Sequence, residues 1–200
     1  MNEPFEKFVK SELGSNILLI TCGLPGTWKT ETSQEISKIK EYPILRTDLI
    51  RRKVLINEDI FDAKVAGNMN KREKVYDEMF KQAEILAKNG KGVILDATFV
   101  TQKLRRRAAK VAVKHKIPFI ILQTHCSEDV SITRILRRTK ENYESNALTK
   151  EAYIANKNKF EAVDLDDLKH RYTNLEIVHL IVDTEKDEPE NWYVIGKEVR

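Results

Sequence analysis

Eight residues between positions 23 and 30 combine the residue types needed to bind a polyphosphate. Their sequence, which fits the pattern Gly-x-x-x-x-Gly-Lys-Thr except that a tryptophan replaces the second glycine, is Gly23-Leu24-Pro25-Gly26-Thr27-Trp28-Lys29-Thr30. In such a loop the backbone N–H groups close around the phosphates, the lysine neutralises the terminal phosphates, and the following hydroxyl binds Mg²⁺. We therefore interpret these residues as a phosphate-binding loop for ATP, with Lys29 as a catalytic cation and Thr30 as a metal ligand.

The sequence on either side of this loop supports the interpretation. An apolar run at 16–21 predicts a buried strand before the loop. A helix predicted at 30–40 begins at the lysine-threonine pair, so its N-terminal N–H groups would attract anions. The departure from the pattern is Trp28, whose bulky side chain must point away from the phosphates or lie over the nucleotide. The sequence leaves open whether it slows or supports catalysis.

A carboxylate and a guanidinium lie three residues apart in Asp48-Leu49-Ile50-Arg51, within the first turn of a predicted helix. A hydroxyl that accepts a phosphoryl group needs a carboxylate to orient it and to take its proton. Asp48 is therefore the candidate general base, and Arg51 the candidate for holding the acceptor or balancing charge. The alternative is that Asp48 caps the helix and Arg51 is a surface charge.

Asp96 follows the apolar run Val93-Ile94-Leu95, at the predicted end of a buried strand. Many enzymes with a phosphate-binding loop carry at this point an acid that holds Mg²⁺ through water. The alternative is a hydrogen-bonded turn residue. Burying a carboxylate is costly unless it is paired or linked to a metal, so we favour a role for Asp96 in the metal site.

Two further arginines, Arg134 and Arg138, are spaced to share one face of a helix. Two guanidiniums on one face, followed by a polar segment, suit a lid that closes over a nucleotide and spreads the charge of the transferred phosphoryl group. The alternative is an ordinary solvated basic face. Given the phosphate-binding loop, we expect a short helical lid at about 134–148.

Strands and helices alternate along the chain, which predicts an α/β fold with a parallel sheet covered by helices on both faces. The predicted strands are 16–21, 42–47, 92–96, 118–124 and 175–183, and the predicted helices are 30–40, 48–55, 70–88, 101–115, 127–138 and one that starts at 149. A loop with broken helix is expected at 56–69. Ligands of parallel sheets bind beyond the carboxyl ends of the strands. Asp48 and Asp96 should therefore converge on the rim that carries the loop.

Length and composition predict a single domain at 1–200, with its core at 16–183 and a tail at 184–200. The net charge of +4 is weak support for a polyanionic partner. The two cysteines have neither metal-ligand spacing nor the number needed for a disulfide framework. The first residues lack the pattern of a signal peptide. No apolar run approaches the roughly 18 residues needed to span a bilayer, so we expect a cytoplasmic protein without a membrane partner.

One predicted helix has a basic face that suits the backbone of a nucleic acid. Its members are Lys103, Arg106, Arg107, Lys110 and Lys114. The commoner fate of such a face is simple solvation, which we prefer over RNA contact.

Together, the phosphate-binding loop, Asp-x-x-Arg after the second strand, Leu-Asp-Ala-Thr after the third and the paired arginines resemble one group of P-loop kinases. This group includes the kinase domain of phage polynucleotide kinase, zeta-type toxins and seryl-tRNA kinases. The resemblance covers about residues 17–183 and implies the P-loop NTPase fold, with about five parallel strands and the third strand between the first and second. It implies Lys29 on the β and γ phosphates, Thr30 on Mg²⁺, Asp48 as general base and Asp96 as a partner of the acceptor or of Mg²⁺-bound water. It also implies that Arg51 contacts the acceptor.

We therefore expect an ATP- and Mg²⁺-dependent kinase that phosphorylates a hydroxyl of a small molecule or of an RNA or DNA end. One alternative is a catalytically damped ATP-binding protein with a regulatory or RNA-associated role, because of Trp28. Another is a toxin-like kinase that acts on a nucleotide sugar. The acceptor and the oligomeric state are not encoded in any motif that we identify.

Overall fold

Seven strands form one sheet. In the computed structural model they are β1 (Glu3–Pro4), β2 (Leu18–Cys22), β3 (Ile44–Arg46), β4 (Val93–Asp96), β5 (Phe119–His125), β6 (Ile177–Asp183) and β7 (Tyr193–Val199). The structure describes residues 1–60, 62, 65, 68–139 and 147–200. The predicted loop at 56–69 and the predicted lid at 134–148 therefore lie partly outside the described residues.

The strand order is β1-β7-β6-β5-β2-β4-β3, and the five strands from β6 to β3 are mutually parallel. These are the five predicted strands, and β4 lies between β2 and β3 as the resemblance implies. The predicted parallel α/β fold is confirmed. The sheet is larger than predicted because β7 adds antiparallel to β6 and β1 adds antiparallel to β7.

Helices cover both faces of this sheet. Those in the described part of the chain are α1 (Phe5–Glu12), α2 (Lys29–Lys40), α3 (Thr47–Val54), α4 (Met69–Ala87), α5 (Gln102–His115), α6 (Glu128–Leu136), α7 (Lys150–Lys159) and α8 (Leu165–Arg171). One hydrophobic cluster lies under α4, α5 and α8, and a second lies under α1 and α2. Among these helices, none is both long and apolar enough to cross a membrane.

Strand β2 shows how the sequence specifies this layering. All five of its residues are buried. Leu18 and Ile20 belong to the first hydrophobic cluster, whereas Leu19 belongs to the second. Side chains alternate between the faces of a strand, so a central parallel strand must be apolar throughout. The position of β2 between β4 and β5 brings the loop that follows it to the middle of the sheet's rim.

The predicted basic face of α5 is largely paired with acidic residues of neighbouring helices. Lys103 contacts Glu73 of α4 at 2.9 Å, and Lys114 contacts Glu84 of α4 at 2.6 Å. Further pairs join Arg107 to Asp77 and Arg106 to Asp167. These ion pairs neutralise most of the positive charge on α5, so the face offers little support for contact with RNA.

The tail after β6 is part of the folded body. Trp192 is fully buried and belongs to the second hydrophobic cluster, where its ring meets Phe5 edge-on with centroids 5.9 Å apart. Its indole N–H donates to the carbonyl oxygen of Lys186 at 2.8 Å. Trp192 therefore fixes both α1 and the connection between β6 and β7.

Replacing this tryptophan should test how far the tail contributes to stability. We expect Trp192→Ala to lower the free energy of unfolding by about 3–5 kcal/mol, the usual cost of emptying a large buried aromatic site. Urea denaturation followed by circular dichroism measures the change. The control is Val199→Ala, also in the tail but half exposed, with an expected loss under about 1 kcal/mol. Equal losses for the two variants would contradict the buried role of Trp192.

Candidate functional site

The loop between β2 and α2 is held close to the backbone of neighbouring elements. Gly23 and Gly26 have φ values of 140° and 84°, a region that side chains disfavour. A Cβ atom at Gly23 would lie 2.8 Å from the carbonyl oxygen of Thr124, and one at Gly26 would lie 2.5 Å from that of Ser131. Both glycines are therefore required for the close approach of β5 and α6 to the loop.

Lys29 begins α2, and its ammonium lies against the loop itself. Its Nζ donates to the carbonyl oxygen of Leu24 at 2.6 Å. Burial lowers the pKa of Lys29 to about 8, although the charge of Asp96 opposes the shift. Among the described residues its one hydrogen-bond acceptor is this carbonyl oxygen, and a desolvated cation of this kind is well suited to an anionic ligand.

Asp96 connects the loop to the strands around it. Its side chain is 6% exposed and accepts hydrogen bonds from Thr30 at 2.7 Å and from Thr21 at 3.3 Å. Burial raises the pKa of Asp96, while the Thr30 hydrogen bond and the charge of Lys29 lower it. The Thr30 hydroxyl and the Asp96 carboxylate are thus adjacent hard oxygen atoms, the donor type that Mg²⁺ prefers.

Arg46 is a member of this site that sequence reasoning missed. Its Nε lies 3.5 Å from a carboxylate oxygen of Asp96. The two residues are opposite each other in the register of β3 and β4. The available signal was the position of Arg46 at the carboxyl end of the second predicted strand, immediately before Thr47-Asp48.

Asp48 and Arg51 meet in the first turn of α3. The guanidinium Nη1 of Arg51 donates to the Asp48 carboxylate at 3.1 Å. Burial raises the pKa of Asp48, the charge of Arg51 lowers it and the charge of Asp96 raises it. Asp48 lies inside the helix, because Arg46 occupies the N-cap position. Arg51 is only 13% exposed, so it differs from an ordinary surface charge.

Tyr76 of α4 lies beside this pair, within the helix predicted at 70–88. Its ring meets Phe99 edge-on with centroids 5.6 Å apart. Burial raises the pKa of the Tyr76 hydroxyl, whereas the charges of Arg72 and Arg51 and a hydrogen bond with Thr98 lower it. Its hydroxyl is therefore a polar group close to two arginines near the expected base.

Arg134 and Arg138 have different surroundings. Arg134 is 4% exposed and donates through Nη1 to the carbonyl oxygen of Gly26 at 3.2 Å. Arg138 follows the end of α6, donates to the carbonyl oxygen of Ala147 at 3.4 Å, and lies near enough to Lys29 to lower the pKa of that residue. Both arginines thus reach the loop region. Their closing over a nucleotide stays a prediction, and residues 140–146 of the expected lid lie outside the described residues.

Trp28 adopts a left-handed backbone conformation, with φ 56° and ψ 35°. This explains why glycine is usual at the position, since an L-residue in this region costs roughly 1–2 kcal/mol. The indole lies under the Arg134 guanidinium at 4.6 Å, and its N–H donates to Asp187 at 3.3 Å. The indole is therefore engaged by α6 and by the β6–β7 connection.

The residues present fit a bound nucleotide and its metal. A desolvated ammonium on Lys29, the N-terminus of α2 and the loop backbone form a site for phosphate groups. Thr30 and Asp96 supply oxygen ligands for Mg²⁺, directly or through water. Within the described ranges, no cluster of three or more His, Cys, Asp or Glu side chains forms a separate metal site.

The chain is similar to known proteins in both sequence and fold. The sequence profile of the AAA domain family (AAA_33) matches residues 18–163, more than half of the chain, and the chain belongs to this family. It is also 26% identical over 136 residues to the uncharacterized protein Rv2004c of Mycobacterium tuberculosis (strain ATCC 25618 / H37Rv), covering 65% of this chain. The chain spans only 27% of the length of that curated relative.

Two solved structures share the fold. A gluconokinase from Sinorhizobium meliloti 1021 is 15% identical, with a TM-score of 0.56 and coverage of 87% of this chain and 86% of that one. Chaetomium thermophilum Kti12 in complex with ADP-AlF3 is 17% identical, with a TM-score of 0.55 and coverage of 74% and 81%. The chain therefore has the predicted P-loop NTPase fold. Its assignment to the polynucleotide kinase group stays a prediction.

The lowered pKa of Lys29 predicts how triphosphate binding depends on pH. A bound triphosphate favours the ammonium, so above about pH 8 binding must take up a proton. We expect ATP affinity, measured by calorimetry, to fall as pH rises beyond that value, approaching tenfold per pH unit. A pH-independent affinity up to about pH 9.5 would contradict a shifted Lys29.

The control for this experiment is Lys29→Met, which should bind ATP weakly and with an affinity that does not fall as pH rises above about 8.

The lowered pKa of Lys29 also affects the stability of the fold. Between about 8 and 10.5 the unfolded lysine holds a proton that the folded one has lost, so its contribution makes the free energy of unfolding rise with pH. Lys29→Met should lack this rise in urea denaturation.

Proposed function

We propose that the protein is an ATP- and Mg²⁺-dependent phosphotransferase that phosphorylates a hydroxyl group. The observation that carries the proposal is the position of the Asp48–Arg51 pair on the same rim as the phosphate-binding loop. The charges of Lys29 and Asp96 both act on the Asp48 carboxylate, so a base and a phosphate site are close together.

Each residue has a defined part in the proposed reaction. Lys29 and the loop amides hold the phosphates, and Thr30 and Asp96 hold Mg²⁺, which when bound supplies positive charge to the transferred group. Asp48 orients the acceptor hydroxyl and takes its proton as the new P–O bond forms and the bond to the leaving diphosphate breaks. Burial favours this role because a raised pKa makes Asp48 a stronger base.

The acceptor is proposed to lie between α3 and α4. Arg51, Arg72, Tyr76 and Thr98 are the described polar residues around this space. From the sequence we expect residues 57–76 and the lid to complete the acceptor site, and both segments lie partly outside the described residues. The gluconokinase and Kti12 share only the fold with this chain, so both a small molecule and an RNA or DNA end stay open as acceptors.

The alternative of a catalytically damped ATP-binding protein rests on Trp28. The surroundings of Trp28 favour an active kinase instead. The indole interacts with Arg134 and Asp187, while Lys29 remains directed at the loop carbonyl of Leu24. A tryptophan held in this way leaves the Lys29 side chain in place.

A cytoplasmic location of the protein also stays a prediction.

Removing the proposed base should separate chemistry from binding. We expect Asp48→Asn to keep ATP affinity within about twofold and to lower phosphoryl transfer by about 10²–10⁴-fold, the usual contribution of a general base. The assay uses labelled ATP with Mg²⁺ and a cell extract, followed by identification of the molecules that acquire label in the wild type.

The matched control is Asp166→Asn, which makes the same chemical change at a carboxylate that is 82% exposed and pairs with Arg200. It should leave both ATP binding and transfer unchanged. Full phosphoryl transfer by Asp48→Asn would rule out Asp48 as the base. Wild-type protein that binds no purine triphosphate would remove the proposed function as a whole.

A further inference from the structure

We infer that Trp28, Arg134, Thr184 and Asp187 form a clamp that holds the phosphate-binding loop in its binding conformation. We call these four residues the loop clamp. They come from the loop, from α6 and from the connection between β6 and β7. The inference rests on the proposed function in one respect, namely that the loop binds a triphosphate.

Arg134 is the centre of the clamp. Its Nη2 lies within hydrogen-bonding distance of three successive carbonyl oxygens of residues 184–186, at 2.9, 3.1 and 3.1 Å. Its Nε donates to the carboxylate of Asp187 at 2.9 Å, and its Nη1 donates to the carbonyl oxygen of Gly26 at 3.2 Å. A single buried guanidinium thus joins the β6–β7 connection to the loop.

The contacts to the loop are made from its outer side, through carbonyl groups. Gly26 offers its carbonyl oxygen to Arg134, and Thr27 offers its carbonyl oxygen to the hydroxyl of Thr184 at 3.0 Å. In a trans peptide the N–H of the next residue points opposite to the carbonyl. Two fixed outward carbonyls therefore direct the N–H groups of Thr27 and Trp28 away from Arg134 and Thr184.

These two N–H groups have no protein acceptor among the hydrogen bonds of the described residues. Thr27 is 4% exposed, and a buried N–H without a partner is costly. Backbone N–H groups that have no protein acceptor and are held in a fixed orientation are suited to bind an anion. We infer that the clamp prepares these amides for the phosphates before the nucleotide arrives.

Trp28 completes the clamp through Asp187. That carboxylate accepts hydrogen bonds from both the Trp28 indole at 3.3 Å and Arg134 Nε at 2.9 Å. The indole also lies under the guanidinium at 4.6 Å. These contacts hold Trp28 in the left-handed conformation that glycine would adopt freely. Trp28 is therefore a member of the clamp.

The clamp gives Arg134 a positioning role that differs from the predicted lid. Its pairing with Asp187 neutralises the guanidinium locally, so its main effect on a triphosphate is through the loop amides. Moving it over a nucleotide would break its bonds to residues 184–186 and to Gly26. Arg138 is then the arginine left to act in a lid.

Removing the bridging carboxylate tests the clamp through nucleotide binding. We expect Asp187→Ala to weaken calorimetric binding of a non-hydrolysable ATP analogue with Mg²⁺ by about tenfold, in line with the loss of charge-assisted hydrogen bonds. Asp187→Asn, which keeps an acceptor, should recover part of that loss. Thr184→Val should weaken binding about fivefold by releasing the Thr27 carbonyl.

The control is Glu188→Ala, which removes a neighbouring exposed carboxylate and should leave binding unchanged. The KM for the acceptor should stay the same in all these variants, because the clamp does not contact the acceptor site. Wild-type affinity in Asp187→Ala, or equal losses in Asp187→Ala and Glu188→Ala, would overturn the clamp.

A measurement without nucleotide keeps the clamp testable if the proposed function fails. In a Trp192→Phe background Trp28 is the remaining tryptophan, and we expect Asp187→Ala to raise its acrylamide quenching at least about twofold, since its indole loses a partner. Unchanged quenching would refute the clamp even where nucleotide binds. Raised quenching in a protein that binds no triphosphate would leave the clamp standing and refute the proposed function.

Trp28→Gly separates the clamp from the damped alternative. If Trp28 belongs to the clamp, glycine relieves backbone strain but loses the contacts with Arg134 and Asp187, so affinity for the ATP analogue should fall severalfold. If Trp28 only damps catalysis, affinity should hold or rise and turnover should increase. The second outcome would overturn the assigned role of Trp28.

Discussion

The candidate site depends on one buried carboxylate, that of Asp96. It lies at the end of β4 and contacts Thr21 of β2, Thr30 of α2 and Arg46 of β3. Isolated in the core, such a charge would be costly, but three neighbouring elements offset that cost with hydroxyls and a guanidinium. Strand register produces this arrangement, because parallel strands that end together must present their last side chains to each other.

Several parts of this site were predictable because the order of strands along the chain determines which residues lie at the carboxyl ends of the sheet. Asp48 and Asp96 could be placed on one rim, since Asp96 ends one strand of a parallel sheet and Asp48 lies just after another. The order of β2, β4 and β3 followed from the resemblance. Arg46 was not predictable in the same way, because the orientation of the last residue in a strand depends on the register with its neighbour. Periodicity within a single strand does not contain that information.

Other features depend on segments that are distant in sequence. The spacing of Arg134 and Arg138 predicts a shared helix face, but the sequence does not indicate what covers that face. Residues 184–187 bind Arg134, whereas the helix ends at Leu136, so Arg138 lies beyond it and donates to Ala147 instead. Likewise, Ser127 has the residue type of a helix cap, yet its hydroxyl donates to Glu185. Rules based on neighbouring residues in the sequence miss these contacts, because the partners of Arg134 and Ser127 come from a segment that is distant in the sequence.

The β6–β7 connection also has a consequence for protein synthesis. Trp28 and Asp187 are 159 positions apart, so a ribosome must make most of this sequence before the two can meet. Until then the early strand-loop-helix unit is present without the residues that hold its backbone from outside. Triphosphate affinity should therefore arise late during translation, when the last strands join the sheet, rather than with the motif itself.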